Sequence, residues 1–170
     1  MRRFASDSAG VAIRLTPAEV AILSRLPSLL GSVGTTPDDP GARRLHPEAY
    51  PEDLDASREL ARLTSDDLDD ARRADLERFG ALLPEAATGT SMTADDAVAW
   101  MRVLGDARLV VAARRGLLDP GAAEELRSSR DPDVTLIALL GMLQGELSEV
   151  LLDQMDERLD GQMDDQLDDS

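Results

Sequence analysis

The sequence contains no cysteine. This excludes disulfides, thiolate nucleophiles, cysteine–zinc sites and thiol redox switches. Aromatic residues make up only 2% of the chain, so its core must be built from Leu, Val, Ala, Ile and Met. Lysine is also absent, and all 18 basic residues are arginine. A core poor in aromatics suits helix packing better than a β-sandwich, so the composition favours a helical protein.

Long apolar runs are also missing. The richest run, Leu136 to Leu143, is too short to span a bilayer. The N-terminus begins with Arg2-Arg3, but Asp7 and Arg14 interrupt anything that resembles the apolar region of a signal peptide. We therefore expect a cytoplasmic protein with no membrane partner.

Acidic residues dominate the charge, and the net charge is −16. Residues 1–50 are close to neutral, with six arginines and five acids, whereas residues 134–170 carry one arginine and ten acids. Such a surface repels nucleic acid phosphates and anionic membranes, so direct DNA binding is disfavoured. The partner most compatible with the C-terminal end is a basic protein.

Two helix starts are well marked. Thr16-Pro17-Ala18-Glu19 has the residues of a capping box with Pro in the first turn. Thr93 can cap another helix, with Asp95 and Asp96 in its positive first turn. Residues 31–51 hold several Pro and Gly signals and predict a long irregular connection. The predicted helices cover residues 16–31, 52–63, 64–83, 93–116, 120–127 and 131–152.

These elements predict an all-α fold, a single-domain bundle of five to six helices over residues 1–152. Residues 1–15 alternate weakly around a polar centre, which is typical of a short β-hairpin or an ordered arm. Residues 153–170 form an acidic tail of low complexity, in which the segment 154–160 recurs with changes at 162–168.

The acidic tail carries an apolar stripe. Met155, Leu159, Met163 and Leu167 recur every four residues, opposite an acidic face. Charge density favours a disordered tail. The alternative is a segment that folds onto a basic partner or onto a second copy of the chain.

The helix over residues 94–116 holds the most informative polar residues. Asp95, Arg102 and Asp106 share its one polar strip, whereas Arg108 lies beside apolar neighbours. An unpaired buried charge is costly, so we expect Arg108 to be buried and paired with a carboxylate. Either such pairs are structural or they form an anion-binding or partner-recognition site. The first interpretation is favoured, because buried charges are usually paired within the fold.

Catalytic patterns are weak. His46 is the single histidine, so it lacks partners for a metal cluster and has no obvious nucleophile nearby. The acids at 66–70 lack the Gly and closing Glu of a calcium loop. Gly141 and Gly145 lie in a helix, where their spacing allows close helix approach. We expect that the protein is not an enzyme and binds no cofactor or metal. The one feature that favours a hydrolase is the abundance of acids.

Four segments in order resemble an actinobacterial family, the domain of unknown function 2017. The run Trp100 to Leu109 is similar to its W-L-x-x-L-N-D-x-R-L signature, which a further Arg follows near Arg114. Residues 44–50 resemble R-L-F-P-x-A-Y, residues 59–64 resemble E-F-R-x-L-T, and Leu143-Gln144 matches an L-Q pair. The candidate signature or partner-contact residues are Arg44, Tyr50, Glu59, Arg62, Trp100, Arg102, Asp106, Arg108 and Arg114.

This family is associated with an actinobacterial oxidative stress regulator, AosR. The resemblance implies transcriptional control in stress through contact with the transcription machinery, with a sigma factor or an RNA polymerase component as the partner and a homodimer as a further option. Redox sensing through paired cysteines does not carry over, because the chain has none. Gly105 stands where the family has Asn. The expected carboxylate partner of Arg108 is Glu59 or a residue of the last helix. The alternative is an acidic adaptor or scaffold with no role in transcription.

Overall fold

The computed structural model describes residues 2–50, 52–117 and 131–168, with side chains described as far as residue 156. The protein is mostly helical and carries a small three-stranded antiparallel sheet. The elements are, in chain order, β1 Phe4–Asp7, β2 Gly10–Ile13, α1 Pro17–Leu23, α2 Leu26–Gly31, α3 Pro40–Leu45, α4 Leu54–Leu82, a 3-10 turn Glu85–Ala87, β3 Thr90–Met92, α5 Ala94–Arg114 and α6 Pro132–Asp168. The all-α prediction is therefore right for the helices and incomplete for the sheet.

The sheet is an N-terminal hairpin to which a third strand is added. β1 and β2 pair from Phe4↔Ile13 to Asp7↔Gly10, which confirms the hairpin alternative for residues 1–15. β3, which the sequence did not predict, pairs with β2 through Val11↔Met92. Gly10 has φ +136°, and a Cβ there would collide with the Met92 carbonyl, so this corner requires glycine.

The predicted first helix is two helices. Thr16 caps α1 in a complete capping box with Glu19, as the sequence indicated. The helix then ends at Leu23, and α2 begins at Leu26, because Pro27 lacks an N–H and its ring clashes with a continuous helix. The connection predicted to be irregular contains α3, which Asp39 caps by accepting a hydrogen bond from the Gly41 N–H at 2.9 Å.

The predicted helices over 52–63 and 64–83 are one continuous helix, α4. Thr64 does not act as a cap, because its hydroxyl donates to the Leu60 carbonyl at 2.9 Å within the helix. No Gly or Pro interrupts residues 54–79, so nothing in the backbone breaks the helix there. The predicted boundary at Thr64 is wrong because a Thr that follows helical residues can continue the helix.

The core lies around α5, between α4 on one side and α6 on the other. Trp100 is fully buried, and its ring packs on Phe79 of α4 with a centroid distance of 4.5 Å. Helix α5 therefore lies in the middle of the bundle. Fully buried side chains of the core include Phe4, Val11, Ile13, Leu23, Leu26, Phe79, Met92, Trp100, Leu104, Leu140, Leu143 and Leu147.

Helix α6 is 37 residues long and begins at Pro132, as predicted. Residues 132–156 are long and apolar enough to cross a membrane by length and composition. A core helix of a soluble protein meets the same criteria, and α6 buries Leu140, Leu143 and Leu147 completely. The backbone remains helical through the acidic segment to Asp168, where the sequence favoured a disordered tail. The helix predicted over 120–127 lies outside the described residues.

Candidate functional site

Arg72 of α4 lies at the centre of a charged cluster that the sequence did not predict. Its Nε donates to Asp106 Oδ2 at 3.3 Å, and its Nη2 donates to the Leu45 carbonyl at 2.8 Å. Its Nη1 lies 3.3 Å from His46 Nε2. The same Nε2 lies 3.5 Å from Asp69 Oδ1, so the ring faces both a guanidinium and a carboxylate. Arg72 thereby joins α3, α4 and α5 at one point.

The cluster lines a cavity of about 420 Å³. Arg102, one of the signature candidates, lies at its rim, where its Nη1 is 3.5 Å from Asp75 Oδ2. The side chains that line the cavity are Leu30, Val33, Leu45, His46, Asp69, Arg72, Arg73, Asp75, Leu76, Arg102, Val103 and Asp106, together with Gly31. Its three arginines balance its three aspartates.

Burial raises the pKa of the Asp106 carboxyl, and the Arg72 guanidinium opposes that rise. The negative charge of Asp75 also raises it, to a smaller extent. A carboxyl pair in a cleft is the feature that would favour a hydrolase. Here each carboxylate already faces a guanidinium, at 3.3 Å for Asp106 and 3.5 Å for Asp75. The arrangement is that of an ion-pair network that fixes α4 against α5.

A second network surrounds Arg114, another signature candidate. Arg114 donates from Nη2 to Asp39 Oδ2 at 2.7 Å, from Nε to Asp39 Oδ1 at 3.0 Å and from Nη1 to Ser32 Oγ at 3.2 Å. These bonds hold the pKa of the Asp39 carboxyl well below its usual range, helped by the backbone N–H groups of Gly34 and Gly41. The pair therefore fastens the loop before α3 to the end of α5.

The prediction for Arg108 is wrong. Its side chain is exposed, and it makes no ion pair with any residue in the described part of the chain. The guanidinium instead lies over Gly141 of α6, 3.3 Å from where a Cβ would stand. Glu59, its proposed partner, pairs with Arg62 on the same helix at 2.8 Å. The chain avoids the cost of a buried charge by letting the long arginine side chain reach solvent.

Gly105 and Gln144 form the contact between α5 and α6. The Gln144 Nε2 donates to the Met101 carbonyl at 3.1 Å. A Cβ on Gly105 would lie 2.8 Å from that Nε2, so the absence of a side chain at 105 makes room for the amide. Gly141 also lies in this interface, whereas Gly145 faces open space. The close-approach prediction therefore holds for Gly141 and is wrong for Gly145.

The other signature candidates do not converge. Arg44 and Tyr50 are exposed, the Glu59–Arg62 pair lies on the surface of α4, and Trp100 is in the core. Of the tail stripe, Met155 is 58% exposed, and the side chains of Leu159, Met163 and Leu167 lie outside the described residues. Sequence reasoning missed Arg72 and Asp39. No local signal marks Arg72, whereas Asp39 before Pro40 is the pattern of a capping residue with Pro in the first turn of a helix.

The surface has two acidic projections. The first half of α4, residues 54–71, carries six acids against two arginines, and Ser57 is the one buried residue among them. Four of these acids pair with arginines of the same helix, two of them with Arg72 and Arg73, so Asp66 and Asp67 are the acids of this segment that make no ion pair with a described residue. The second acidic segment is the C-terminal part of α6, before which Gln154 Nε2 donates to the Gly10 carbonyl at 2.5 Å. Residues 153–170 then carry eight acids against one arginine.

Comparison with known proteins gives one match. No curated protein and no solved structure matches the chain. A family model described as a domain of unknown function, DUF2017, matches residues 1–151 and thus nearly all of the helical body and its N-terminal hairpin. The chain belongs to the DUF2017 family.

Proposed function

We propose that the protein is a cytoplasmic regulator that acts by binding a basic protein of the transcription machinery, a sigma factor or an RNA polymerase component. The resemblance to the actinobacterial oxidative stress regulator supports the choice of partner. The structural observation that supports it most is the length of α6, whose backbone continues as a helix through the acidic sequence to Asp168.

The dimensions of α6 support a contact role. At 1.5 Å per residue its 37 residues span roughly 55 Å, against roughly 32 Å for the 21 residues of α5. The described side chains of its first part are held by the core, since Leu147 and Val150 are buried and Gln154 is bonded to the hairpin. The sequence then concentrates negative charge, with eight acids against one arginine in residues 153–170. Such a concentration steers a basic partner and accelerates association in a salt-dependent way.

The rest of the molecule supports binding over catalysis. All three carboxylates of the cavity face guanidiniums, Asp69 and Asp106 that of Arg72 and Asp75 that of Arg102, so none is free to transfer a proton without breaking an ion pair. The net charge of −16 disfavours DNA as the main partner. The absence of cysteine means that a stress signal reaches this regulator by a route other than its own thiols.

The test is binding of the full chain to purified sigma factors and RNA polymerase core enzyme, by biolayer interferometry at low and high salt. We expect binding that weakens with salt. Deletion of 153–170 should slow association and flatten the salt dependence. A chain in which 153–170 is shuffled keeps the charge and breaks the stripe of Met155, Leu159, Met163 and Leu167, so it should associate normally and dissociate faster.

Two results would contradict the proposal. If no component of the transcription machinery binds the intact chain, the regulator function is wrong, and the adaptor or scaffold alternative takes its place. If a component binds with the same salt dependence after 153–170 is removed, the acidic end of α6 serves solubility and the contact lies elsewhere.

A further inference from the structure

We infer that the first half of α4, residues 54–71, is a docking surface for a basic amphipathic helix of a partner protein. The inference rests on the proposed function in that the protein acts by binding another protein. It adds a second contact surface, separate from the end of α6, and it specifies the chemistry of the partner. It does not depend on the partner belonging to the transcription machinery.

The first half of α4 exposes an unusual share of apolar side chains. Nine large hydrophobic side chains are exposed among the described residues, and five of them lie between positions 50 and 68. These five are Tyr50, Leu54, Leu60, Leu63 and Leu68. Substitution of a solvent-exposed leucine leaves no cavity in the core, so these leucines contribute little to the free energy of unfolding. Apolar exposure concentrated in one segment is typical of a contact surface.

Acidic residues surround the most exposed of these leucines. Leu63 is 60% exposed, and helical spacing places Leu60, Glu59, Asp66 and Asp67 as its neighbours three and four residues away. Glu59 is neutralised by Arg62. Asp66 and Asp67 make no ion pair with any residue that the structure describes. Leu60 and Leu63 thus form an apolar centre bordered by uncompensated negative charge.

This pattern selects one class of occupant. A second copy of the chain would bring the unpaired carboxylates of Asp66 and Asp67 against the same two carboxylates, which like-charge repulsion opposes. Anionic lipid surfaces and nucleic acids are repelled for the same reason. A partner helix with an apolar stripe bordered by Lys or Arg complements both features, because its aliphatic side chains cover Leu60 and Leu63 while its cations meet Asp66 and Asp67.

The experiment uses the full chain and a labelled synthetic helix as the probe, with binding followed by fluorescence anisotropy. The probe has leucines at helical spacing bordered by Lys and Arg. A second peptide carries Glu in place of every Lys and Arg, and a third has the basic composition in an order with no apolar face. We expect only the first peptide to bind measurably.

Variants of the chain locate the contact. Leu60→Ser with Leu63→Ser should weaken binding about 10- to 100-fold, the range for losing a buried leucine contact. Asp66→Asn with Asp67→Asn should weaken binding and reduce its salt dependence. Leu152→Ser on α6, where the leucine is 59% exposed, is the matched control and should bind like wild type. Unchanged Trp100 fluorescence shows that each variant is folded.

The outcomes separate this inference from the proposed function. If the Leu60/Leu63 variant binds the probe as wild type does, or if binding is lost only when 153–170 is deleted, α4 is not the docking surface. If sedimentation shows a dimer that the leucine substitutions dissociate, the occupant is a second copy and the inference of a basic partner is wrong. If α4 does not bind the probe, salt-dependent binding through α6 is still possible. If α6 does not contribute to binding, docking on α4 is still possible.

Discussion

Phe79 is the side chain through which α4 is anchored in the core. It is fully buried and packs on the indole of Trp100 at a centroid distance of 4.5 Å and an interplanar angle of 47°. Ser57 is the one other buried residue within α4. Phe79→Ala removes the ring and leaves a cavity beside Trp100. Buried Phe→Ala substitutions cost about 3–5 kcal/mol of unfolding free energy, which includes the transfer of the ring and the cavity.

The protein supplies its own probe for this experiment. Trp100 is the single tryptophan and touches Phe79, so its fluorescence reports unfolding at the site of the change. For a domain of this size about 1 kcal/mol corresponds to roughly 2–4 °C in Tm, so Phe79→Ala should lower Tm by about 6–20 °C. Leu68→Ala on the same helix is the control, because Leu68 is 48% exposed and its removal should change stability by less than about 0.5 kcal/mol.

The comparison of the two variants decides whether burial was assigned correctly. A Tm loss for Phe79→Ala no larger than that for Leu68→Ala would mean that α4 is not anchored through the Phe79–Trp100 contact. An equally large loss in both variants would mean that the first half of α4 packs against the body, which would also contradict its role as an exposed docking surface.

Three further predictions follow from single contacts. Gly145 faces open space, so Gly145→Ala should raise the free energy of unfolding by about 0.5–1 kcal/mol through helix propensity. Gly105→Ala should gain less or lose stability, because its Cβ would displace the Gln144 amide from the Met101 carbonyl. Urea unfolding of both variants tests this, and equal gains would contradict it. The pKa of Asp39 is lowered in the fold, so this carboxylate contributes stability above its unfolded pKa of about 3.9, and that stability is lost as the pH falls through its folded pKa. Asp39→Asn should therefore be less stable than wild type at pH 7 and should lose less stability on acidification. A stability profile parallel to that of wild type between pH 7 and pH 2 would refute this. Arg108→Ala should change stability by less than about 0.5 kcal/mol, since the side chain is exposed, and a Tm loss like that of Phe79→Ala would restore the idea of a buried ion pair.

Local chemistry in the sequence was sufficient where a few neighbouring residues decide the structure. Thr16 and Thr93 both cap helices through reciprocal bonds to a residue three positions later, at Glu19 and Asp96. The hairpin at residues 4–13 and the start of α6 at Pro132 were also within reach, because turn residues and Pro leave a local signal. The four ordered segments identified the family that the match over residues 1–151 shows.

Tertiary contacts account for the misses. β3 is only three residues long, and it is a strand because β2 offers it an edge, which no property of Thr90–Met92 alone reveals. The same holds for Arg72, whose partners Leu45, His46 and Asp106 come from two other elements, 26 to 34 positions away in the sequence. Arg108 was misplaced because its apolar sequence neighbours on α5 were taken as neighbours in space, whereas the flexible side chain leaves the helix across Gly141.

The distribution of ion pairs gives the net charge a meaning that composition alone lacks. Within the body, arginines meet acids from other elements, as in the pairs Arg3–Glu19, Arg72–Asp106, Arg78–Asp96 and Arg114–Asp39. The arginines of the first half of α4 pair only within their own helix, and the end of α6 has a single arginine for its eight acids. On the first half of α4 the uncompensated charge is therefore that of Asp66 and Asp67, and the sequence adds eight acids against one arginine in residues 153–170. Solubility alone does not explain acids beside exposed leucines. Repulsion between neighbouring acids destabilises a helix, and exposed apolar groups lower solubility. Both costs are offset when a basic partner with an apolar stripe covers the segment. The leucine and aspartate substitutions on α4 should therefore weaken the same binding event in different ways. The leucine substitutions should speed dissociation, and the aspartate substitutions should slow the salt-dependent association.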